Sequence, residues 1–309
     1  LYAKVWNGTS WGGSDYSVSS DTDIRWIRPK ADPSSDKIAV LYLNSRNGLW
    51  LYVRKGTSWF TSAGSFTFSG NATYNRPFDL IFETGFYGGS CYSAGECMGD
   101  ILLVYAGATE VQSRHCALAT ASSYSCASAV NVRSGVTHQA YWVQLERDPE
   151  QTIHLAIHDT NDDLVTWTKT NTSTSYTYEN TISTDLERDT NHNHEVFALF
   201  PMPEARTILV WSNDNTAKLE YARYHDGAWS SLTSISGVSN YQYWKVVKTS
   251  ASGTTQFALS ADFRDTSKPH LVGSKNEITR DDSDIRESRA GEGPVQGPGP
   301  GRARGGAGR

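Results

Sequence analysis

The sequence predicts an all-β fold, a β-propeller built from four-stranded antiparallel blades, and three observations carry that expectation. Ser and Thr together number 65 of the 309 residues against only two Met, and the apolar residues are largely β-branched or aromatic, which favours strands over helices. Short apolar runs recur with a period of about fifty residues, the spacing of a repeated supersecondary unit. Between the runs stand turns rich in Asn, Asp and Gly, residues that accept the positive φ a tight hairpin needs.

Each unit reads as four strands joined by hairpins. The first strand is Ile24 to Ile27, Phe78 to Phe82, Tyr141 to Leu145, Val196 to Phe200 and Tyr243 to Val247. The second begins at Ile38, Ile101, Ile153, Ile208 and Phe257, and several copies are apolar on both faces, as a strand covered on both sides should be. Polar turns follow it: Asn44-Ser-Arg-Asn47-Gly48, Asp159-Thr-Asn161-Asp162-Asp163 and Asn213-Asp214-Asn215. The third and fourth strands form a hairpin that ends in Trp. It occurs as Tyr2-Ala-Lys4-Val-Trp6-Asn-Gly8-Thr-Ser-Trp11, as Leu51-Tyr52-Val-Arg54-Lys-Gly56-Thr-Ser-Trp59, and as Tyr221-Ala-Arg223-Tyr-His225-Asp-Gly227-Ala-Trp229.

Five copies of each strand can be counted. The third and fourth strands of one unit lie at the N-terminus, and the first and second strands of the last unit lie near residues 243–262. A five-bladed ring closes if the N-terminal hairpin completes the last blade, which removes exposed sheet edges. The rival is an arc of a six- or seven-bladed ring, with Lys268-Pro-His-Leu-Val-Gly273 as a separate third strand. The propeller is expected over residues 1–280. Residues 281–309 are densely charged and then Gly/Pro/Arg-rich, with eight Gly, three Pro and three Arg between Gly291 and Arg309, and are expected to be a disordered tail.

A hydrophobic fraction of 38% is enough for a core, and no apolar run is long enough for a membrane-spanning helix. A net charge of −5 with interspersed signs shows no basic stripe for nucleic acid. The chain starts at Leu1 without a signal peptide, so it reads as a mature, trimmed or fragmentary chain. Cys91, Cys97, Cys116 and Cys126 lack C-x-x-C spacing and suggest two local disulfides, Cys91 with Cys97 and Cys116 with Cys126. Glycosylation sequons start at Asn7, Asn71 and Asn171. Together these lean towards an extracellular or cell-surface protein.

The Trp-Asn-Gly-x-x-Trp and His-Asp-Gly-x-Trp turns resemble the repeats of extracellular β-propellers: fucose-binding and tachylectin-type lectins, Asp-box propellers related to sialidases, and repeat domains of microbial surface proteins. The resemblance covers about residues 1–265 as a repeat pattern. It implies the propeller fold and binding of glycan or protein. Of the Asp-box turn, Asp226-Gly227-Ala-Trp229 alone comes near, without the Ser, and the sialidase arginine triad has no matching motif.

Alternation along the third strand separates two faces. One carries Tyr2, Lys4 and Trp6 in one unit, Trp50, Tyr52 and Arg54 in another, and Tyr221, Arg223 and His225 in a third. Aromatic and basic side chains recurring on one face can stack a sugar ring and bond its hydroxyls, or simply pack between blades. These residues are the candidate ligand-binding set. Asp159, Asn161, Asp162 and Asp163 cluster oxygens as calcium prefers but lack an EF-hand pattern, and read as a hairpin turn. His192, His194 and Glu195 read as a loop. Asp79, Glu83, Glu146, Asp148 and Glu195 lie on or just beyond first strands, where a glycosidase could set two carboxylates across the channel. No nucleotide motif and no G-x-S-x-G elbow occurs, so no cofactor is expected. The sequence points to an extracellular or surface binding module for glycan or a surface protein, with a glycoside hydrolase or a structural repeat segment as the alternatives.

Overall fold

The computed structural model describes residues 1–274, apart from 5–8, 13–15, 34, 57, 62–65, 68–75, 84–99, 108–109, 121–122, 133–139, 149, 171–172, 174, 185, 187–195, 203–205, 214–217, 240–242, 252–253 and 263–270. Every described element is a strand. β1 (Tyr2–Ala3) and β2 (Tyr16–Ser17) form a small hairpin. The first sheet runs β3 (Ile24–Ala31), β4 (Ile38–Asn44), β5 (Gly48–Lys55), β6 (Ser58–Thr61), with β7 (Phe66–Thr67) also on β5. The second runs β8 (Phe78–Glu83), β9 (Asp100–Ala106), β10 (Val111–Thr120), β11 (Ser123–Cys126), with β12 (Val130–Asn131) on β10. The third is β13 (Ala140–Arg147), β14 (Thr152–Asp159), β15 (Leu164–Thr170), β16 (Thr177–Ser183). The fourth is β17 (Phe197–Met202), β18 (Arg206–Asn213), β19 (Lys218–His225), β20 (Ala228–Trp229), with β21 (Thr233–Ser239) on β19. The last holds β22 (Tyr243–Ala251), β23 (Thr254–Asp262) and β24 (Leu271–Ser274).

All strand pairs within the sheets are antiparallel, and each sheet is an up-and-down meander. The first strands of successive sheets pack side by side, β3 on β8, β8 on β13, β13 on β17 and β17 on β22. β8 and β13 run in the same direction, as the parallel bridge between Arg76, just before β8, and Trp142 shows. Sheets that radiate from parallel innermost strands are the blades of a β-propeller.

The turns follow from their polar residues. Asn44 Oδ1 accepts hydrogen bonds from the backbone N–H of Arg46 and Gly48, and Asp159 Oδ1 accepts from Asn161 and Asp163. In both turns the fourth residue takes a positive φ, 59° at Asn47 and 65° at Asp162. The Asp159 cluster is therefore a repeated Asx turn whose carboxylate is occupied by the backbone. Asp226 and Gly227, with φ of 52° and 82°, close the two-residue hairpin in which Tyr224 pairs with Trp229.

The core lies between sheets. One apolar cluster joins the first three, including Leu41, Leu51, Leu80, Leu103, Leu145 and Leu155, and another joins the third and fourth around Leu164, Phe197 and Trp211.

The expected closure by the N-terminal hairpin is corrected. β24 pairs with β23, while β1 pairs with β2 in a separate sheet. Residues 271–274 follow β23 after a short connection, so this pairing closes a far smaller loop than one with the N-terminus would. The N-terminal segment instead lies against the first sheet, where Ser19 Oγ and Tyr42 Oη share a hydrogen bond of 2.8 Å.

Candidate functional site

The first sheet has two unlike faces. Pairing places Arg28, Leu41 and Leu51 on the face towards the second sheet, and Ile27, Tyr42 and Trp50 on the other. On β5 the alternation is strict: Leu49, Leu51 and Val53 are fully buried, while Trp50, Tyr52 and Arg54 are half-buried. Trp59 sits directly opposite Arg54 and joins the outer face. Ile27 is 43% exposed, whereas Phe78, Val143 and Phe197, which hold the same place in the next three sheets, are at most 1% exposed. Those three are each covered by the preceding sheet. Ile27 is open.

This outer face is aromatic and basic in detail. Tyr52 stacks on buried Tyr42, with ring centroids 5.8 Å apart and 21° between planes. The Trp50 indole lies over Gly48, where a Cβ would come within 2.9 Å of Nε1, so any other residue there would push the ring aside. The Arg54 guanidinium lies 5.9 Å over the Tyr16 ring. The Nε1 donors of Trp50 and Trp59 and the Arg54 Nε are withdrawn from solvent and have no hydrogen-bond partner among the described residues. Tyr16, Ile27, Tyr42 and Trp59 complete the face and were not in the candidate set. The signal for Trp59 is the two-residue turn at Gly56, which puts residue 59 opposite residue 54.

The third-strand residues of the fourth unit point the other way. Pairing sets Tyr42 opposite Trp50 and Trp211 opposite Glu220, and Tyr42 and Trp211 each stand two residues before the turn Asn44 or Asn213. Trp50, Tyr52 and Arg54 thus correspond to Glu220, Ala222 and Tyr224, while Tyr221 and Arg223 correspond to buried Leu51 and Val53. A slip of one residue between the aligned hairpins reverses the face. The aromatic and basic residues therefore do not recur on one face. Tyr221 and Arg223, half-buried and in cation–π contact at 5.6 Å, lie on the side of the fourth sheet away from the third. His225 is exposed and 2.9 Å from the Asp226 carboxylate. Lys4 is exposed beyond β1, and Trp6 lies outside the described residues. The two sets flank the same sector, which holds the last sheet and the N-terminal hairpin: β17 packs on β22, and Tyr16 meets Arg54.

The channel-side carboxylates are committed to partners. Arg28 grips Asp79 through Nε and a terminal nitrogen, at 2.8 and 3.1 Å, and Asp79 also accepts from the backbone N–H of Leu80 and Leu145. Burial alone would raise the Asp79 pKa, but Arg28, Lys30 and Arg76 outweigh it and hold it at about 2. Lys30 reaches across to Glu146 at 2.7 Å. Glu83, fully buried, takes Lys169 at 2.5 Å and His115 at 2.7 Å. Asp148 takes His154 at 2.9 Å and the Thr152 N–H at 2.8 Å. Gln144, which corresponds to Asp79, likewise accepts from the Leu199 N–H of the next first strand. Asp79 and Gln144 brace neighbouring first strands, and a carboxylate held at about 2 is ionised at neutral pH, the opposite of a general acid. Glu195, His192 and His194 lie outside the described residues.

Cys116 and Cys126 stand opposite each other on β10 and β11 and form a disulfide, as their spacing suggests. Cys91, Cys97, Asn7, Asn71 and Asn171 lie outside the described residues. Among the described residues no group of acidic, His or Cys side chains is arranged to hold a metal ion, and no helix is long and apolar enough to cross a membrane.

No protein-family model matches the chain, and no curated protein matches it. Among solved structures it is similar to an α-L-arabinofuranosidase from Fusarium graminearum in complex with an iminosugar inhibitor, at 14% identity and a TM-score of 0.46 over 78% of this chain and 76% of that one. It is similar to the Aleuria aurantia lectin in complex with α-methyl-L-fucoside, at 12% identity and 0.42 over 82% and 79%. It is also similar to the fission yeast SREBP–SCAP binding domains, at 11% identity and 0.49 over 84% and 63%. The assignment of the fold rests on the strand order and pairing given above.

Proposed function

We propose that this chain is a binding module, displayed outside the cell or on its surface, that takes glycan on the outer face of its first sheet. The observation that carries the reading is the open, aromatic and basic face of Trp50, Tyr52, Arg54 and Trp59, set on a strand whose opposite face is fully buried. Aromatic rings stack against the apolar face of a pyranose, and the terminal guanidinium nitrogens of an Arg donate to its hydroxyls. Tyr221 and Arg223 form a second, smaller patch across the same sector. Binding is favoured over hydrolysis because Asp79, Glu83, Glu146 and Asp148 are each engaged by a cation or a histidine. The propeller would occupy residues 1–280, with 281–309 as a tail.

A glycan-array screen of the chain tests this, with Trp50→Ala, Tyr52→Ala, Tyr221→Ala and Arg223→Ala alongside and circular dichroism as the check on folding. Specific binding that is lost in folded Trp50→Ala is the expected result. A folded wild type that retains no glycan overturns it and leaves a protein partner as the next ligand to seek.

A further inference from the structure

We infer that residues 16–23 form a strap that shuts across this face and swings aside when glycan binds, hinged at Asp21 and Asp23 and latched at Tyr16 and Ser19. The inference rests on the proposed function and adds a regulation of the same site.

Burial across the outer face is uneven. Pairing sets Ile27 and Pro29 of β3, Val40 and Tyr42 of β4, and Trp50 and Tyr52 of β5 side by side on it. Ile27 and Pro29 are exposed and Trp50 and Tyr52 half-buried, yet Val40 and Tyr42, in the row between them, are 8% and 1% exposed. The N-terminal segment crosses that row. The Arg54 guanidinium lies over the Tyr16 ring, Ser19 Oγ and Tyr42 Oη share a hydrogen bond, and Asp21 Oδ2 accepts one of 2.7 Å from the Asn44 amide. A segment that meets residues 54, 42 and 44 in turn runs the length of the face.

Its two ends are held unequally. Asp23 accepts from Ser45 with both its carbonyl and its carboxylate, at 2.8 and 2.9 Å, and the chain then enters β3. That end is fixed. Towards Tyr16, the holds on the sheet among the described residues are one neutral hydrogen bond and one cation–π contact, each a weak tie where water can compete. Residues 19–23 read Ser-Ser-Asp-Thr-Asp and offer no apolar side chain to bury, so opening there costs little.

The latch takes what a sugar needs. A ring resting between Ile27 and Trp50 requires the place above Tyr42 that the strap fills, and Tyr16 already covers part of Arg54. With the strap shut the face is two separate flanks; with it open, three strands make one floor. Only the open fraction binds, so the apparent affinity is the intrinsic one reduced by that fraction.

The test titrates wild type and Tyr16→Ala/Ser19→Ala, both shown folded by circular dichroism, on one printed glycan array. Hydroxyl-radical oxidation of each, read by mass spectrometry at Tyr42, follows the strap without glycan, and Tyr105, buried in the second sheet, is the reference. The variant is expected to bind the retained glycans about tenfold more tightly, the combined worth of one hydrogen bond and one exposed cation–π contact. Oxidation at Tyr42 should rise severalfold and that at Tyr105 should not change. Ser19→Ala alone, with a smaller gain, gives the same readout should the double variant not fold. Unchanged or weaker binding by a variant whose Tyr42 has become reactive overturns the inference and leaves glycan binding standing. No rise at Tyr42 overturns it too, because the strap is then not held by this latch. A folded wild type that binds no glycan at all removes the proposed function, and this inference with it.

Discussion

The two faces of the first sheet are made by alternate residues of the same strands, yet they do opposite work. On the inward face Leu49, Leu51 and Val53 are fully buried, and Arg28 and Lys30 are neutralised by carboxylates from the second and third sheets. On the outward face Ile27 is exposed, Trp50, Tyr52 and Arg54 are half-buried, and Arg54 has no carboxylate partner among the described residues. The third sheet shows what happens when both faces are covered: Leu164 through Lys169 are buried without alternation, and Lys169 is paired with Glu83. A strand between two blades spends its charges internally.

The contrast breaks most sharply at Asp79. Asp79→Ala leaves the Arg28 guanidinium and the Leu145 N–H facing no carboxylate and should cost about 3–5 kcal/mol in urea unfolding. Arg54→Ala on the other face should cost no more than about 1 kcal/mol. Equal costs would mean that the faces do not differ. The next step compares neighbours on β5: Leu51→Ala should lose about 3 kcal/mol through the cavity it leaves, and Tyr52→Ala about 1 kcal/mol, because its ring is already half in water.

Acid should act on the inward face through Asp79. The Asp79 pKa in the fold, about 2, lies below its ordinary value of 3.8, so its contribution is present above pH 4 and is lost as pH falls through 2. Stability should drop by about 2 kcal/mol across that window, and Asp79→Asn should remove that part of the slope. The smallest effect is expected at Arg25→Gln, within about 0.5 kcal/mol of wild type in thermal unfolding. A larger loss would mean that Arg25 braces the sheet.

Much of the architecture was legible because hairpins are local. The Asn44 and Asp159 turns, the two-residue loop at Asp226-Gly227 and the Cys116–Cys126 crosslink each depend on residues within about ten positions, and each is read from its own turn chemistry. The alignment of the Trp-bearing hairpins was less secure. Matching Arg54 to Arg223 looks natural in one dimension, but the pairing of Trp59 with Arg54 and of Trp229 with Tyr224 shifts the match by one residue and turns Tyr221 and Arg223 to the opposite face. Side chains alternate with a period of two, so a tolerance of one residue, harmless for recognising a repeat, is fatal for assigning a face.

By itself the sequence determined the strands, the turns, the meander within each sheet and the stacking of repeats, since backbone propensity and turn chemistry act over a few residues. Tertiary structure alone decided which strand completes the last sheet, which cations are neutralised and which face of the first sheet stays open. Those outcomes depend on partners far apart in the chain, Arg28 with Asp79, Lys30 with Glu146 and Glu83 with Lys169. Burial by a neighbouring blade, which a linear pattern does not record, sets whether an aromatic ring is core or contact surface.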